Sequence, residues 1–246
     1  MRRRSIITVV VGLLITCFLQ SGRLNGQNSE QKKEDNMAVK LQWLGHASFK
    51  ISDANTIIYI DPWKMKSAAH DATIVLVSHS HYDHYSAEDI GKVSDANTKL
   101  VAAADVVSQH GKGEPLKPGQ TITVGAVKIT GVAAYNPAKK FHPKANNWLG
   151  FVIEIGGKRI YYAGDTDAIQ EMKAMTNIDV ALLPAGGTYT MNAAEAAEAT
   201  KAFKPKMAVP YHWGDIVGGK ADAEQFAKSA ACPVKILSPG EPTDIN

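Results

Sequence analysis

Residues 78–84 read SHSHYDH. They hold His79, His81, Asp83 and His84, so three of the chain's eight histidines fall within seven positions. Imidazole and carboxylate groups at this density are ligands for a divalent cation, with zinc, manganese and iron all suited to the set. The preceding stretch TIVLV (73–77) is a β-branched apolar run, the pattern of a buried strand. Such a strand delivers its last residues to the carboxyl edge of a sheet, where α/β proteins build their sites. A polar, solvated loop is the competing reading.

Further candidates stand at the ends of later runs. RIYYAGDTD places Asp165 after an apolar strand and a glycine, and MAVPYHWGD places His212 in a similar position. His142 lies in the long loop PAKKFHPKANNW. Taken singly, Asp165 could cap a helix beginning near Asp167, and either histidine could be packed or solvated. Taken together, they supply two shells and a carboxylate to bridge them. Two dications about 3.5 Å apart repel by roughly 19 kcal/mol at an effective dielectric near 20, so carboxylates between them are required. Asp61, which ends IYI, is placed to orient a ligand histidine, or else to cap a turn. His46, between two strands in LGHAS, faces the site or stands exposed on a hairpin. The GGTYT loop (186–190) reads first as a plain loop, with glycine N–H groups and hydroxyls for an anion as the competing reading, and Trp63, Trp148 and Trp213 adjoin the site blocks.

The elements that must position these residues are short strands and intervening helices. Strands are expected at 39–44, 47–51, 56–60, 73–77, 99–102, 121–124, 126–132, 149–155, 158–164, 179–184, 207–210 and 234–237. Helices are expected at 86–93, 104–110, 192–203 and 221–230. SDAN (52–55) and Gly156-Gly157 read as turns between paired strands. Asn192 and Glu195 have the spacing of a capping box. Two β-rich halves, each followed by helices, predict two sheets face to face with helices outside: a single α/β domain of four αββα layers over residues 38–246.

The amino terminus is of another kind. MRRRSIITVVVGLLITCFLQ has a cationic start and an apolar run too short for a comfortable membrane span, the pattern of a secretory leader. Residues 1–26 are expected to be the leader, and 27–37 a polar linker. Export to the periplasm or medium follows, or membrane anchoring if the leader is retained. Four arginines leave with the leader, so 27 basic residues become 23, against 24 acidic ones. No basic excess remains to attract nucleic acid. Cys17 leaves too, and Cys232 alone forms no internal disulfide.

HSHYDH after a strand, then GDTD and a late strand ending in histidine, resemble the metallo-β-lactamase superfamily. WLGHASFKI, IYIDPW, AYNPAKKFHPKANNWLGF, LLPAGGTYTM and VPYHWGD are similar to blocks of its branch containing ascorbate-6-phosphate lactonase and N-acyl-phosphatidylethanolamine phospholipase D. The resemblance covers about residues 38–240. It implies two divalent metal ions: His79 and His81 on the first, Asp83, His84 and His212 on the second, and Asp165 as the bridge. Where the superfamily usually has a histidine directly after the strand, this chain has Tyr135-Asn136, and His142 six residues on is assigned as the missing ligand. The implied activity is hydrolysis of an ester, lactone or amide in a small-molecule substrate by a metal-bound hydroxide, with Asp83 orienting the nucleophile. The alternatives are a phosphodiesterase and a non-hydrolytic metal or redox protein on the same fold. Flavodiiron-type proteins favour a glutamate ligand, which HSHYDH lacks.

Overall fold

The computed structural model describes residues 38–245. The expected leader and linker lie outside the described residues, and Val39–Asn246 form one compact unit. The first half contains β1 (Val39–Gly45), β2 (Ser48–Ser52), β3 (Ile57–Ile60), β4 (Ala72–Val77), β5 (Ser94–Ala102) and β6 (Glu114–Pro115). The second contains β7 (Thr121–Val124), β8 (Val127–Ala133), β9 (Leu149–Ile155), β10 (Lys158–Tyr162), β11 (Val180–Pro184) and β12 (Met207–Tyr211), and β13 (Pro242–Ile245) is the last strand among the described residues. The strands form a seven-stranded sheet in the order β13-β1-β2-β3-β4-β5-β6 and a six-stranded sheet in the order β12-β11-β10-β9-β8-β7.

Turn chemistry sets the local register. Asp53 Oδ1 accepts from the N–H groups of Asn55 (2.9 Å) and Thr56 (2.8 Å), closing the turn between β2 and β3. Gly156 and Gly157, at φ 53° and 74°, supply the two positive torsions that the β9–β10 hairpin needs.

Period-two alternation then divides the second sheet between two cores. Tyr162, Leu182, Val209 and Tyr211 point at the first sheet, where Phe49 meets the rings of Tyr162 and Tyr211 edge-on. Tyr161, Ala181, Leu183 and Ala208 point the other way. There they meet α3 (Gln170–Lys173), α4 (Ala193–Phe203) and α5 (Lys220–Ser229), through Met172, Ala196, Phe203 and Phe226. Strands buried on both faces have no polar side to show, which is why their sequences read as unbroken apolar runs. On the first sheet, α1 (Ala87–Val93) and α2 (Ala104–His110) contribute Ile90, Val93 and Val106 to the core. The result is the four-layer αββα sandwich.

Asn192 and Glu195 form the expected capping box on α4, each side chain accepting from the other's N–H at 2.9 Å. The carboxyl end differs from expectation. VKIL (234–237) is not a strand; it makes a single bridge, Val234 to Ala208, beside Pro233, which has no N–H to donate. The last strand is β13, paired antiparallel with β1, and its sequence PTDI carries no apolar run to announce it.

Candidate metal centre

Six chain segments deliver their chemistry to one edge of the sandwich. His79, His81, Asp83 and His84 follow β4, Asp61 follows β3, Asp165 follows β10, and His212 follows β12. His46 sits in the β1–β2 turn and His142 in the β8–β9 loop. His46, Asp61 and His212 all take a positive φ (47°, 44° and 60°), a backbone state that non-glycine residues hold only when the surroundings fix it. Gly164 turns the chain into Asp165 at φ 67°; a Cβ there would lie 2.3 Å from the Leu149 carbonyl oxygen.

Asp165 is the centre of the cluster. Its Oδ2 lies 3.1 Å from His212 Nε2, 3.2 Å from His142 Nε2 and 4.0 Å from His79 Nε2, and its Oδ1 lies 3.3 Å from His84 Nε2. It does not cap a helix. α3 starts five residues later, behind Ile169, with no side-chain cap. His79, His81 and His142 converge as one donor set, and Asp83, His84, His212 and His46 as a second.

Hydrogen bonds behind the site decide which nitrogen faces inward. Asp61 is fully buried and accepts from Ser78 N–H (2.7 Å), Ser78 Oγ (2.6 Å), Tyr162 Oη (2.6 Å) and His84 Nδ1 (2.7 Å). Because the Ser78 hydroxyl gives its proton to Asp61, it accepts from His79 Nδ1 at 2.8 Å. Asn136 Oδ1 accepts from His142 Nδ1 at 2.6 Å, and Asn136 Nδ2 donates to Asp167. His79, His84 and His142 therefore all turn Nε2 toward Asp165.

Buried polar atoms test whether cations suit this set. Nε2 of His84, His142 and His212 and Oδ1 of Asp165 are buried without an aligned hydrogen-bond partner. Each such group costs about 1–3 kcal/mol if left unsatisfied. Divalent cations would satisfy all four atoms together, and imidazole with carboxylate is the donor chemistry that binds them. The residues present fit the metals.

Charge follows the same geometry. Burial opposes ionisation of Asp165, but His212 and His84 beside it hold its carboxyl well below the ordinary range. Burial also works against a charged His84, yet Asp165 and Asp61 push that imidazole well above its ordinary value. Burial, reinforced by His84, takes His79 well below. Asp83 is held low despite burial, chiefly by a 2.9 Å bond from His46 Nε2.

His46 is buried rather than on an exposed hairpin; its ring lies 4.2 Å from that of His212 and its carbonyl accepts from His212 N–H. His142 is buried too, although its loop reads as solvated. The loop at 186–190 is a plain one at three of its N–H groups: Gly187 donates to the Met191 carbonyl, and Tyr189 and Thr190 donate to that of Gly187. Trp148 walls in His79, His81 and His142 at 4.7–5.5 Å and donates to Asp105, while Trp213 packs on Trp43. Trp63 lies 5.2 Å from His46. Ser78, Asn136 and Tyr162 had no signal in the sequence, because what matters is the side chain each holds.

Comparison with known proteins identifies the family. Residues 40–212 match the beta-lactamase superfamily domain. A UPF0173 metal-dependent hydrolase of Thermococcus onnurineus is 35% identical, covering 82% of this chain and 98% of that protein. Its counterpart in Pyrococcus abyssi is 34% identical, over 84% and 100%. The crystal structure of a metal-dependent hydrolase from Parabacteroides distasonis superposes with a TM-score of 0.74 at 33% identity, over 80% of this chain and 92% of that one. A metallo hydrolase from Ignicoccus hospitalis gives 0.70 at 25%, over 85% and 99%. These names carry neither of the two enzymes of the narrower branch that the sequence resembles. The chain belongs to the β-lactamase superfamily, as one of its metal-dependent hydrolases.

Proposed function

We propose that this hydrolase is an exported two-metal enzyme that cleaves a carboxylic ester, lactone or amide. The observation that carries the reading is the convergence of His84, His142 and His212 Nε2 on Asp165, all buried and none with an aligned hydrogen-bond partner. His79, His81 and His142 would hold one cation, Asp83, His84 and His212 the other, with Asp165 between them. Zinc is the expected ion, and manganese and iron suit the donors as well. When bound, the pair supplies Lewis acidity to the substrate carbonyl and acidifies water for attack.

The chain's own residues do the rest. Asp83 is held anionic, faces the cavity, and is fixed by His46, so it accepts a hydrogen bond from incoming water and aligns it. Asp61 and Asn136 keep the histidine lone pairs pointed inward. Trp148 and Trp63 form walls that exclude bulk water from the back of the histidine cluster.

Elemental analysis of protein purified without added metal, paired with a panel of esters, lactones, amides and phosphodiesters, tests the reading. About two divalent ions per chain with turnover of the carboxyl substrates is expected. Bound metal with no turnover on any substrate would point to a metal-binding or redox protein. Preferential turnover of phosphodiesters would move the enzyme to that class.

A further inference from the structure

Among the described residues, the large hydrophobic side chains that stand exposed are Tyr82 (68%) and Phe141 (43%). Both belong to the mouth of the cavity over Asp83 and Asp165, together with Tyr189 and Ile216. The four come from four separate loops, after β4, β8, β11 and β12. Phe141 and Tyr189 meet edge to face at 4.8 Å, and Tyr82 packs against Trp63 at 6.2 Å. Exposed aromatic surface gathered at a polar reaction centre marks a binding site rather than a stray surface residue. Among the described residues, no lysine or arginine lines this cavity. Lys139 is held by Asp167 and Lys64 by Asp215, and the exposed Lys140 beside Phe141 stands outside the lining.

We infer that this aromatic mouth selects small uncharged substrates whose acyl or leaving group is an apolar chain or flat ring. The inference rests on the hydrolytic reading and names its substrate class. The cavity, about 210 Å³, is smaller than the roughly 300–1,000 Å³ of sites for drug-sized ligands. The reacting carbonyl would occupy the polar floor, leaving the rest of the molecule against ring faces and Ile216. A ring face carries negative charge density, so an anionic group at that end finds no favourable partner there.

The test compares 4-nitrophenyl butyrate with 4-nitrophenyl hemisuccinate on the metal-loaded full chain. The two share leaving group and chain length, but the second ends in a carboxylate; its spontaneous cleavage through the cyclic anhydride is subtracted with an enzyme-free blank. The butyrate is expected to have a kcat/KM at least about tenfold higher, and F141A and Y189A to lower it about tenfold each, mainly through KM, at unchanged metal content. Calorimetric titration with 4-nitrobenzyl alcohol, which has no hydrolysable bond, reads the mouth without turnover; the F141A/Y189A double variant should bind it at least about tenfold more weakly. Equal or faster turnover of the hemisuccinate, or alcohol binding indifferent to both substitutions, overturns the inference and leaves the hydrolase reading standing. No turnover of either ester, with alcohol binding that depends on both side chains, would sink the carboxylic-ester reading and keep the apolar mouth.

Discussion

At the scale of residues, the site works through atoms one bond removed from it. Asp61 touches no substrate space, yet its four hydrogen bonds fix Ser78, Tyr162 and His84, and through Ser78 also His79. His84 carries a testable consequence. Without metal, Asp165 and Asp61 raise its pKa well above the ordinary imidazole value against the opposing effect of burial, a shift that favours the protonated ring. A cation arriving at Nε2 must displace that proton. Metal uptake near pH 7 is therefore expected to release about one proton per chain, seen as a dependence of calorimetric heat on buffer ionisation enthalpy. The sign follows from the raised pKa: release is full below it and fades as pH rises through it, and affinity falls as the medium is acidified. A heat independent of buffer would mean that His84 is already neutral.

At the scale of elements, the strands act as rulers and the loops beyond them carry the chemistry. Gly164 and Gly157 separate two demands on one residue type. Gly157 has positive φ with nothing within 4 Å of an added Cβ, so Gly157→Ala should cost about 1 kcal/mol and leave metal content intact. Gly164 has positive φ and the Leu149 carbonyl at 2.3 Å, so Gly164→Ala must also shift the turn that presents Asp165. It is expected to lower the melting temperature more than Gly157→Ala does, and to lower bound metal as well. Equal effects of the two on metal content would detach Asp165 from its turn.

These elements also show what a sequence can disclose. TIVLV and SHSHYDH were legible because strand periodicity and ligand density are local. Asp165 and His212 became legible as repeats of the same strand-then-ligand pattern. Asn136 was not, since its part depends on a loop that brings His142 back onto it from six residues away. Tyr82 and Phe141 were silent too, because an exposed aromatic residue looks like any other until four loops assemble around it. β13 was missed because an edge strand can be held by backbone pairing to β1 with little apolar content.

At the scale of the whole molecule, the proposed removal of the leader decides what is left to hold the mature chain together. Without the first 26 residues the chain has nearly balanced charge and one cysteine, Cys232, so no internal disulfide stabilises it. Its stability rests on the two cores and on bound metal, which adds to the folded state by mass action. If the leader is removed, N-terminal sequencing of exported protein will read a start within 21–37. Recovery of Met1 from a membrane fraction would turn the leader into an anchor.

The central claim is that Asp165 joins two cations in one hydrolytic site, and metal stoichiometry with rate in Asp165→Asn tests it most directly. The amide keeps the size of the side chain but removes the charge that four imidazoles surround. The claim predicts about two divalent ions per wild-type chain, about one in the variant, and turnover lower by at least about a hundredfold, with the fold intact by circular dichroism. A variant that keeps two ions and a near wild-type rate would contradict it.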